Sequence, residues 1–178
     1  DMTVDKLAQK LQVSTSTIRR DLSLLDREGM LTRVRGGVIE SDANPFAEVA
    51  AYAQEEKQRI ARLASQIIPE RATVIIDIGT TGAALARELR GRDLVVITAS
   101  LAVVDELRGS SQTELIVLGG VLRRSYCSLV GNITENALAQ ITADYAFLGT
   151  SGVRPDGMVL DSTGIEVPVK RGILEHSV

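Results

Sequence analysis

The spacing of hydrophobic residues predicts two short helices at the start of the chain. Apolar side chains recur at helical spacing over residues 4–11, and the pattern returns over residues 15–28. Ser14 stands just before the second helix and has the hydroxyl side chain of a good N-cap. The residues expected to form the buried stripe of the second helix are Ile18, Leu22 and Leu25.

The next segments predict a hairpin, a linker and a third helix. Residues 30–38 alternate between apolar and polar types around a Gly-Gly pair, as in a small β-hairpin or wing. Residues 41–54 are polar and lose this periodicity, so we interpret them as a linker after a first domain of residues 1–40. A helix is predicted over residues 54–68. Its expected buried face consists of Ile60, Leu63, Ala64 and Ile67.

After residue 72 strand patterns and helix patterns alternate. Short apolar runs bounded by glycine or polar residues predict strands over residues 73–78, 94–98, 114–118 and 145–148. Helical patterns separate these runs. This order predicts an α/β domain over residues 55–178, with a Rossmann-like parallel sheet that carries helices on both faces.

The composition suits that architecture. Hydrophobic residues make up 44% of the chain and aromatic residues only 3%, so the core must be built from aliphatic side chains, as in buried parallel strands. The single cysteine, Cys127, excludes an internal disulfide and is typical of a reducing compartment. No apolar run approaches the roughly 20 residues that cross a bilayer. We therefore expect a cytoplasmic protein with no membrane partner.

Charge is unevenly distributed along the chain. The net charge is −3, yet residues 1–40 hold seven basic and six acidic side chains. The excess of negative charge therefore lies in residues 41–178. A locally basic surface on an acidic protein is typical of a protein that reads DNA without binding every polyanion.

The polar face of the second helix indicates DNA recognition. This face begins with small hydroxyl residues, which can contact base edges or phosphates, and continues with arginines, which can pair with guanine through two hydrogen bonds. Helix, short turn and second helix form the geometry of a helix-turn-helix, and the wing would reach the flanking backbone or minor groove. The alternative is a merely solvated helix face. The predicted DNA-binding residues are Ser14, Thr15, Ser16, Thr17, Arg19, Arg20, Arg33 and Arg35.

The first strand of the second domain leads into a candidate anion site. Residues 79–82 read Gly-Thr-Thr-Gly and open a helix, so backbone N–H groups and Thr hydroxyls would face a ligand at the positive end of the helix dipole. No lysine follows the glycines, which excludes a Walker A loop. Other strand ends would share the crevice, although ordinary strand-to-helix turns are the alternative. The predicted effector-binding residues are Asp77, Gly79, Thr80, Thr81, Ser100, Gly119, Gly120, Gly149, Gly152 and Lys170.

Residues 3–38 resemble the winged helix-turn-helix of the DeoR family of bacterial transcriptional regulators. That family has a further helix before the first one seen here, so we expect the DNA-binding domain to be incomplete at its N-terminus. The run from Thr17 to Leu22 is highly specific to the family. The matching stretches are Val4-Asp5-Lys6-Leu7-Ala8, Val13-Ser14, Thr17-Ile18-Arg19-Arg20-Asp21-Leu22 and Arg33-Val34-Arg35-Gly36-Gly37.

Residues 55–175 resemble the sensor domain of the same family, whose fold is similar to ribose-5-phosphate isomerase and glucosamine-6-phosphate deaminase. The resemblance implies a phosphorylated sugar or sugar alcohol as effector, held by loop 79–81 and Lys170. Residues 76–81 and 151–157 look slightly closer to the glycerol-3-phosphate branch of the family. The matching stretches are Glu55-Glu56-Lys57, Ile76-Asp77-Ile78-Gly79-Thr80-Thr81, Leu118-Gly119-Gly120, Ala146-Phe147-Leu148-Gly149, Ser151-Gly152-Val153 and Val169-Lys170-Arg171.

The sequence also departs from the family pattern. Ala99 stands where the family often has an asparagine that could contact the effector, and Gly82 stands where a third Thr or Ser is frequent. The family continues beyond residue 178 with further strands. We therefore expect a sheet edge that is missing or supplied by another chain.

Together these features predict a DNA-binding regulator, a repressor of a carbohydrate-utilisation operon that responds to a phosphorylated sugar. Two-fold operators imply a homodimer or homotetramer. One alternative is a sugar-phosphate isomerase or deaminase, for which Asp77 and Glu166 are the only general-base candidates. Another is an inert paralogue. We expect no enzyme activity, no catalytic residues, no metal site and no cofactor besides the effector.

Overall fold

The first part of the structure is a pair of helices followed by a hairpin. The computed structural model describes residues 3–27, 31–34, 37–40, 46–161 and 163–177. In the first part these comprise helices α1 (Val4–Leu11) and α2 (Thr15–Arg27) and the antiparallel strands β1 (Leu31–Val34) and β2 (Gly37–Glu40). Both helices and the hairpin lie where the hydrophobic pattern predicts them.

A small apolar cluster holds α1 against α2. The hydroxyl of Thr3 caps α1, and the Ser14 hydroxyl accepts a hydrogen bond from the Thr17 amide at 3.1 Å and so caps α2. The predicted stripe of α2 is buried at Ile18 and Leu22, whereas the side chain of Leu25 lies outside the described residues. The cluster consists of Ala8, Ile18 and Leu22, with Val4 and Leu7 packed against it.

The segment interpreted as a linker contains a helix. Helix α3 (Phe46–Ala51) lies within residues 41–54 and is followed closely by α4 (Gln54–Gln66). Phe46 and Val49 of α3 are half-buried, although no residue of this helix is fully buried. Residues 46–51 of the predicted linker are therefore helical instead of irregular, and the domain boundary itself stays a prediction. A helix of six residues is too short to produce a clear periodic signal in the sequence.

Helix α4 faces the core with a different side than the hydrophobic pattern predicts. Ala61 is 1% exposed and faces the core, whereas Ile60, Leu63 and Ile67 are 54%, 66% and 61% exposed. The small side chain of Ala61 lets α4 pack closely, which a face of isoleucine and leucine would prevent. Of the four residues predicted to be buried, only Ala64 packs against the core.

The rest of the structure alternates strands and helices. The predicted order of these elements is confirmed, and two short hairpins are added to it. The elements are β3 (Thr73–Ile76), α5 (Thr80–Glu88), β4 (Leu94–Thr98), α6 (Leu101–Leu107), β5 (Thr113–Val117), β6 (Val121–Arg123), β7 (Ser128–Val130), α7 (Asn132–Leu138), β8 (Tyr145–Phe147), β9 (Gly152–Val153), β10 (Val159–Leu160) and α8 (Val167–Glu175).

Four strands form a parallel sheet in the order β5-β4-β3-β8. Alternate residues of β3 point to opposite faces: Val74 and Ile76 join the cluster formed with α4, α5 and α6, and Ile75 joins the one formed with α7 and α8. The sheet is thus covered by helices on both faces, which confirms the predicted α/β architecture. Among the described helices none combines the length and apolar character needed to cross a bilayer.

Candidate functional site

The polar side of α2 is open to solvent. Arg19 and Arg20 are both exposed, and within the described residues Arg20 forms a solvent-exposed ion pair with Asp21 at 3.7 Å. At the start of the helix the Ser14 hydroxyl lies 2.7 Å from that of Ser16. The bonds that the structure describes for these groups lie within residues 14–21, and the exposed side chains can contact phosphates and base edges.

The wing residues are less fully defined. The structure describes the backbone of Arg33 within β1 but not its side chain, and Arg35 lies outside the described residues. Arg33 pairs with Val38 in an antiparallel register, which confirms that the segment forms a hairpin.

A cavity of about 230 Å³ opens where the strand order of the parallel sheet reverses. The chain leaves β3 toward β4 on one side, and β8 later pairs with β3 on the other. The residues that follow β3 and β8, at 78–81 and 149–151, both line the cavity. Ligands of open parallel sheets bind at this point, outside the carboxyl ends of the strands.

The start of α5 forms one wall of the cavity. Gly79 has a φ of 108°, which only glycine adopts readily, and turns the chain into the helix at Thr80 and Thr81. The N–H groups of the first helical turn have no acceptor within the helix and point toward its N-terminal end. This wall therefore offers both hydroxyls and backbone donors to an anion.

A buried ion-pair cluster forms the floor beneath that wall. The Nζ of Lys170 is bonded to the carboxylate of Asp77, donates to the Gly149 carbonyl at 2.8 Å, and lies 3.3 Å from Asp161 Oδ2. Asp77 Oδ2 also accepts from the Gly149 amide at 3.0 Å. Burial alone lowers the pKa of Lys170, but the two carboxylates outweigh it and the net pKa is raised. Lys170 is therefore protonated, and its positive charge is already compensated by the carboxylates of Asp77 and Asp161.

A second buried pair links the β6–β7 hairpin to α8. Arg123 and Glu166 pair with side chains 8% and 4% exposed, and the Ser128 hydroxyl donates to Glu166 at 3.0 Å. The Arg123 guanidinium lies 4.3 Å from the ring centre of Tyr126, which lines the cavity. Burial raises the pKa of Glu166, while the charge of Arg123 and the Ser128 bond oppose that rise only in part.

Comparison with known families gives the whole arrangement a context. Residues 52–178 match the DeoR C-terminal sensor domain, and residues 1–43 match the DeoR-like helix-turn-helix domain. This chain belongs to the DeoR family of transcriptional regulators.

Relatives of known role support that membership. The chain is 36% identical to the glycerol-3-phosphate regulon repressor of Escherichia coli K12, over 99% of this chain and 71% of that protein. It is 34% identical to the transcriptional repressor CsqR of the same organism, over 99% of this chain and 69% of that protein. The full-length sorbitol operon regulator SorC of Klebsiella pneumoniae is 16% identical, with a TM-score of 0.33 over 97% of this chain and 66% of that one, too low to support an argument.

As a DeoR-family member the chain is a DNA-binding transcriptional regulator with a small-molecule sensor domain, and not an enzyme. Within the described residues no group of His, Cys, Asp and Glu side chains has the arrangement of a metal site. The buried carboxylates of the sensor domain are instead joined to Lys170 and Arg123.

Five of the ten predicted effector-binding residues line the cavity: Gly79, Thr80, Thr81, Gly149 and Lys170. Asp77 does not; its carboxylate lies below the surface and holds Lys170 in place. Ser100 also lies elsewhere, because its hydroxyl caps α6 by accepting from the Val103 amide at 3.3 Å.

The remaining predicted glycines have structural surroundings. Gly119 accepts a hydrogen bond from the Thr134 hydroxyl at 2.5 Å, and a Cβ on Gly120 would lie 2.7 Å from the Val130 carbonyl oxygen. The Gly119–Gly120 pair thus lets the chain pass close to α7 and β7. Gly152 begins β9, and its amide donates to the Thr150 hydroxyl at 3.1 Å. None of these three is part of the cavity lining.

Sequence reasoning missed several residues of the cavity wall. They come from segments that carry no ligand-binding motif, and the fold brings them to the switch point from distant positions. Lys57 belongs to a stretch that matches the family pattern, and Glu166 was considered only as a general-base candidate of the enzyme alternative. The lining residues that were not predicted to bind the effector include Phe46, Val49, Lys57, Tyr126, Asp161 and Glu166.

A larger concavity of about 540 Å³ lies elsewhere and is a weaker candidate. Residues 90–91, 105–106 and 108–112 line it, at and near the turns that lead from helices into β4 and β5. These turns lie at the amino ends of the strands, opposite the edge where open parallel sheets bind ligands.

Proposed function

We propose that this chain represses an operon for carbohydrate use and that a phosphorylated sugar or sugar alcohol controls its affinity for DNA. The observation that supports this best is the cavity at the switch point, which the first turn of α5 lines together with Asp161, Glu166 and Lys170. One side suits an anion and the other suits hydroxyl groups. A phosphorylated polyol combines these two chemical properties in one small molecule.

The two walls suggest an orientation for the effector. The phosphate lies against Thr80 and Thr81, where backbone N–H groups and the helix dipole favour negative charge. The hydroxyls face Asp161 and Glu166, whose carboxylate oxygens can accept hydrogen bonds. A cavity of about 230 Å³ is smaller than the roughly 300–1,000 Å³ of drug-sized sites, which favours a three- to six-carbon compound.

The relatives favour one compound as the first to test. One of them, at 36% identity, is named for a glycerol-3-phosphate regulon. We therefore propose glycerol 3-phosphate as the first candidate effector, within a panel of sugar phosphates. The DNA partner is a double-stranded operator read by α2 and the wing, and a dimer or tetramer of the chain in the cytoplasm would match a two-fold operator.

Thermal unfolding of the chain tests the effector class. Each phosphorylated compound is compared with its unphosphorylated parent, for example glycerol 3-phosphate with glycerol. A ligand at 100 times its dissociation constant stabilises the folded state by about 2.7 kcal/mol, which is measurable. Stabilisation by a phosphorylated compound and not by its parent is the expected result, and Thr80→Ala should reduce it.

A cooperative melt that no phosphorylated compound shifts would contradict the proposed effector class. Size-exclusion chromatography with light scattering tests the oligomer separately. A monomer at the concentration that binds DNA would contradict the dimer or tetramer without affecting the effector proposal.

A further inference from the structure

Helix α3 forms a roof over the candidate effector cavity. Phe46 and Val49 line that cavity, and Phe46 and Ala50 line a neighbouring groove of about 270 Å³. Within the described residues α3 packs against α5, but none of its own residues is fully buried. A helix that borders two concavities and has so little burial is held weakly and can separate at low cost.

One side-chain contact ties this roof to the sensor domain. The Nζ of Lys57, in the first turn of α4, donates a hydrogen bond to the backbone carbonyl of Val49. This carbonyl belongs to the last turn of α3 and is one of the four that have no partner within their own helix. Lys57 therefore serves as a C-terminal cap for α3 while its own side chain lines the cavity.

The two lysines of the cavity differ in how their charge is compensated. Lys170 is bonded to Asp77 and lies 3.3 Å from Asp161, so its charge is matched by carboxylates before any ligand arrives. Lys57 has no carboxylate partner among the described residues; its acceptor is a neutral carbonyl. Burial lowers the pKa of Lys57.

An anion in the cavity therefore gains more from Lys57 than from Lys170. A cation bound to a neutral carbonyl gains electrostatic energy when an anion replaces that acceptor, and charge-assisted hydrogen bonds are about twice as strong as neutral ones. Lys57 lines the cavity together with Thr80, at the wall already suited to a phosphate. Replacement of the Val49 carbonyl would leave α3 without its cap.

We propose that Lys57 binds the phosphate of the effector and that it does so by exchanging the Val49 carbonyl for the phosphate, so that effector binding releases α3. This inference rests on the proposed function, since it assumes a phosphorylated ligand in this cavity. Lys57 would thus have two roles: it would bind the anion, and by leaving the Val49 carbonyl it would change the docking of α3 whenever the cavity is occupied.

The position of α3 in the chain gives this exchange a consequence. Only residues 41–45 separate β2, the second strand of the wing, from Phe46 at the start of α3. A change in the docking of α3 therefore changes the point from which the DNA-binding domain is tethered. Effector affinity and DNA affinity become linked through one element with two states, bonded and released.

Three variants of the full chain test the proposal. Lys57→Met removes the charge and keeps the length of the side chain, Lys57→Arg keeps the charge, and Arg59→Met is the matched control on the exposed side of α4. Binding of glycerol 3-phosphate and of the phosphate compound that stabilises wild type most is measured by calorimetry. We expect Lys57→Met to weaken binding about 10- to 100-fold, Lys57→Arg to weaken it less, and Arg59→Met to leave it unchanged.

Hydrogen exchange of the α3 amides provides the second readout, because a merely structural lysine would not change it in this pattern. In wild type, exchange at residues 49–52 should rise when the effector binds. In Lys57→Met it should be high without effector and unchanged by it. Lys57→Arg, which can still cap the helix, should restore the response.

The outcomes separate this inference from the proposed function. If wild type binds a phosphorylated compound and Lys57→Met binds it equally well, Lys57 is not the phosphate ligand although the effector class stands. If binding weakens but exchange in wild-type α3 does not change, the coupling to α3 is wrong. If wild type binds no phosphorylated compound, the proposed effector class fails, and this inference fails with it.

Discussion

Helix α2, the predicted DNA-reading helix, and the candidate effector cavity hold their polar groups in opposite ways. On α2 the hydroxyls and arginines bond to neighbours within a few residues, and the Arg20 side chain is 82% exposed. In the cavity floor Lys170 and Asp77, 93 residues apart in sequence, are bonded to each other with side chains 13% and 2% exposed. The first set is available for contact, and the second holds the domain together.

This difference teaches which chemistry can be changed without loss of the fold. A groove of DNA is read by side chains that project from a helix, so they need no partner in the free protein. A small ligand is read by groups that are already fixed in place, which requires a network of bonds around them. Substitutions on α2 should therefore affect function alone, whereas those beneath the cavity should affect function and stability together.

The largest effect on stability is expected at Asp77. Asp77→Ala removes a carboxylate that joins the end of β3 to Gly149 and to Lys170, and leaves the lysine buried with Asp161 as its remaining carboxylate. Removal of one partner of a buried pair costs about 3–5 kcal/mol. We expect the lower end of that range, measured by urea unfolding. The control is Asp156→Ala, which breaks an ion pair with both side chains 52% exposed and should cost under about 1 kcal/mol.

The same pair predicts a dependence on pH. The pKa of Lys170 in the folded chain stands above its ordinary value of 10.5, so its ion pairs stabilise the fold at neutral pH and cease to do so as pH rises through the raised pKa. The stability gap between wild type and Asp77→Ala should therefore be constant near neutrality and narrow in the alkaline range. A gap of equal size at all pH values would indicate that packing, not charge, determines the effect.

A smaller loss is expected from a single methyl group at Gly82. A Cβ at this position would lie 2.8 Å from the backbone oxygen of Asp77 and 3.2 Å from Ile76 Cγ2, so α5 would have to shift away from β3. Overpacking of this kind costs about 1–3 kcal/mol. Gly109→Ala, where nothing lies within 4 Å of an added Cβ, is the control and should be neutral. Equal stability of Gly82→Ala and wild type would contradict this close approach.

The Gly82 contact also illustrates what the sequence could and could not predict. The order of strands and helices follows from local patterns, and so does the anion wall at Thr80 and Thr81, because a strand, a Gly-Thr-Thr run and a helix are contiguous. The sequence marks Gly82 only as a departure from the family pattern. Its reason, the close approach to Asp77, depends on how two elements pack.

The residues that sequence reasoning missed depend on long-range geometry. Asp161 and Lys57 lie about a hundred positions apart and share the cavity only because β8 pairs with β3. The buried face of α4 was also mispredicted. Hydrophobic spacing alone does not show whether the isoleucine and leucine side chains pack against the core or whether a face with the smaller Ala61 does so instead. Asp77 was predicted to bind the effector, but its carboxylate is bonded to Lys170 and is not part of the cavity lining.

The smallest effect on stability, and the clearest separation from function, is expected on α2. Arg19→Ala and Arg20→Ala should leave the free energy of unfolding within about 0.5 kcal/mol of wild type, because both side chains are exposed. Their binding to a duplex selected from a random pool by the wild-type chain should weaken. If the removed arginine is bonded to guanine, the variant should lose about 1–3 kcal/mol of binding free energy for that duplex alone. If it is bonded to a phosphate, the variant should bind every duplex more weakly, and the slope of log affinity against log salt concentration should decrease by about one.

Arg108→Ala, in an exposed ion pair of the sensor domain, is the control and should bind DNA as wild type does. Unchanged binding in both α2 variants would show that this face does not read DNA, while reduced stability would contradict the separation between the two regions.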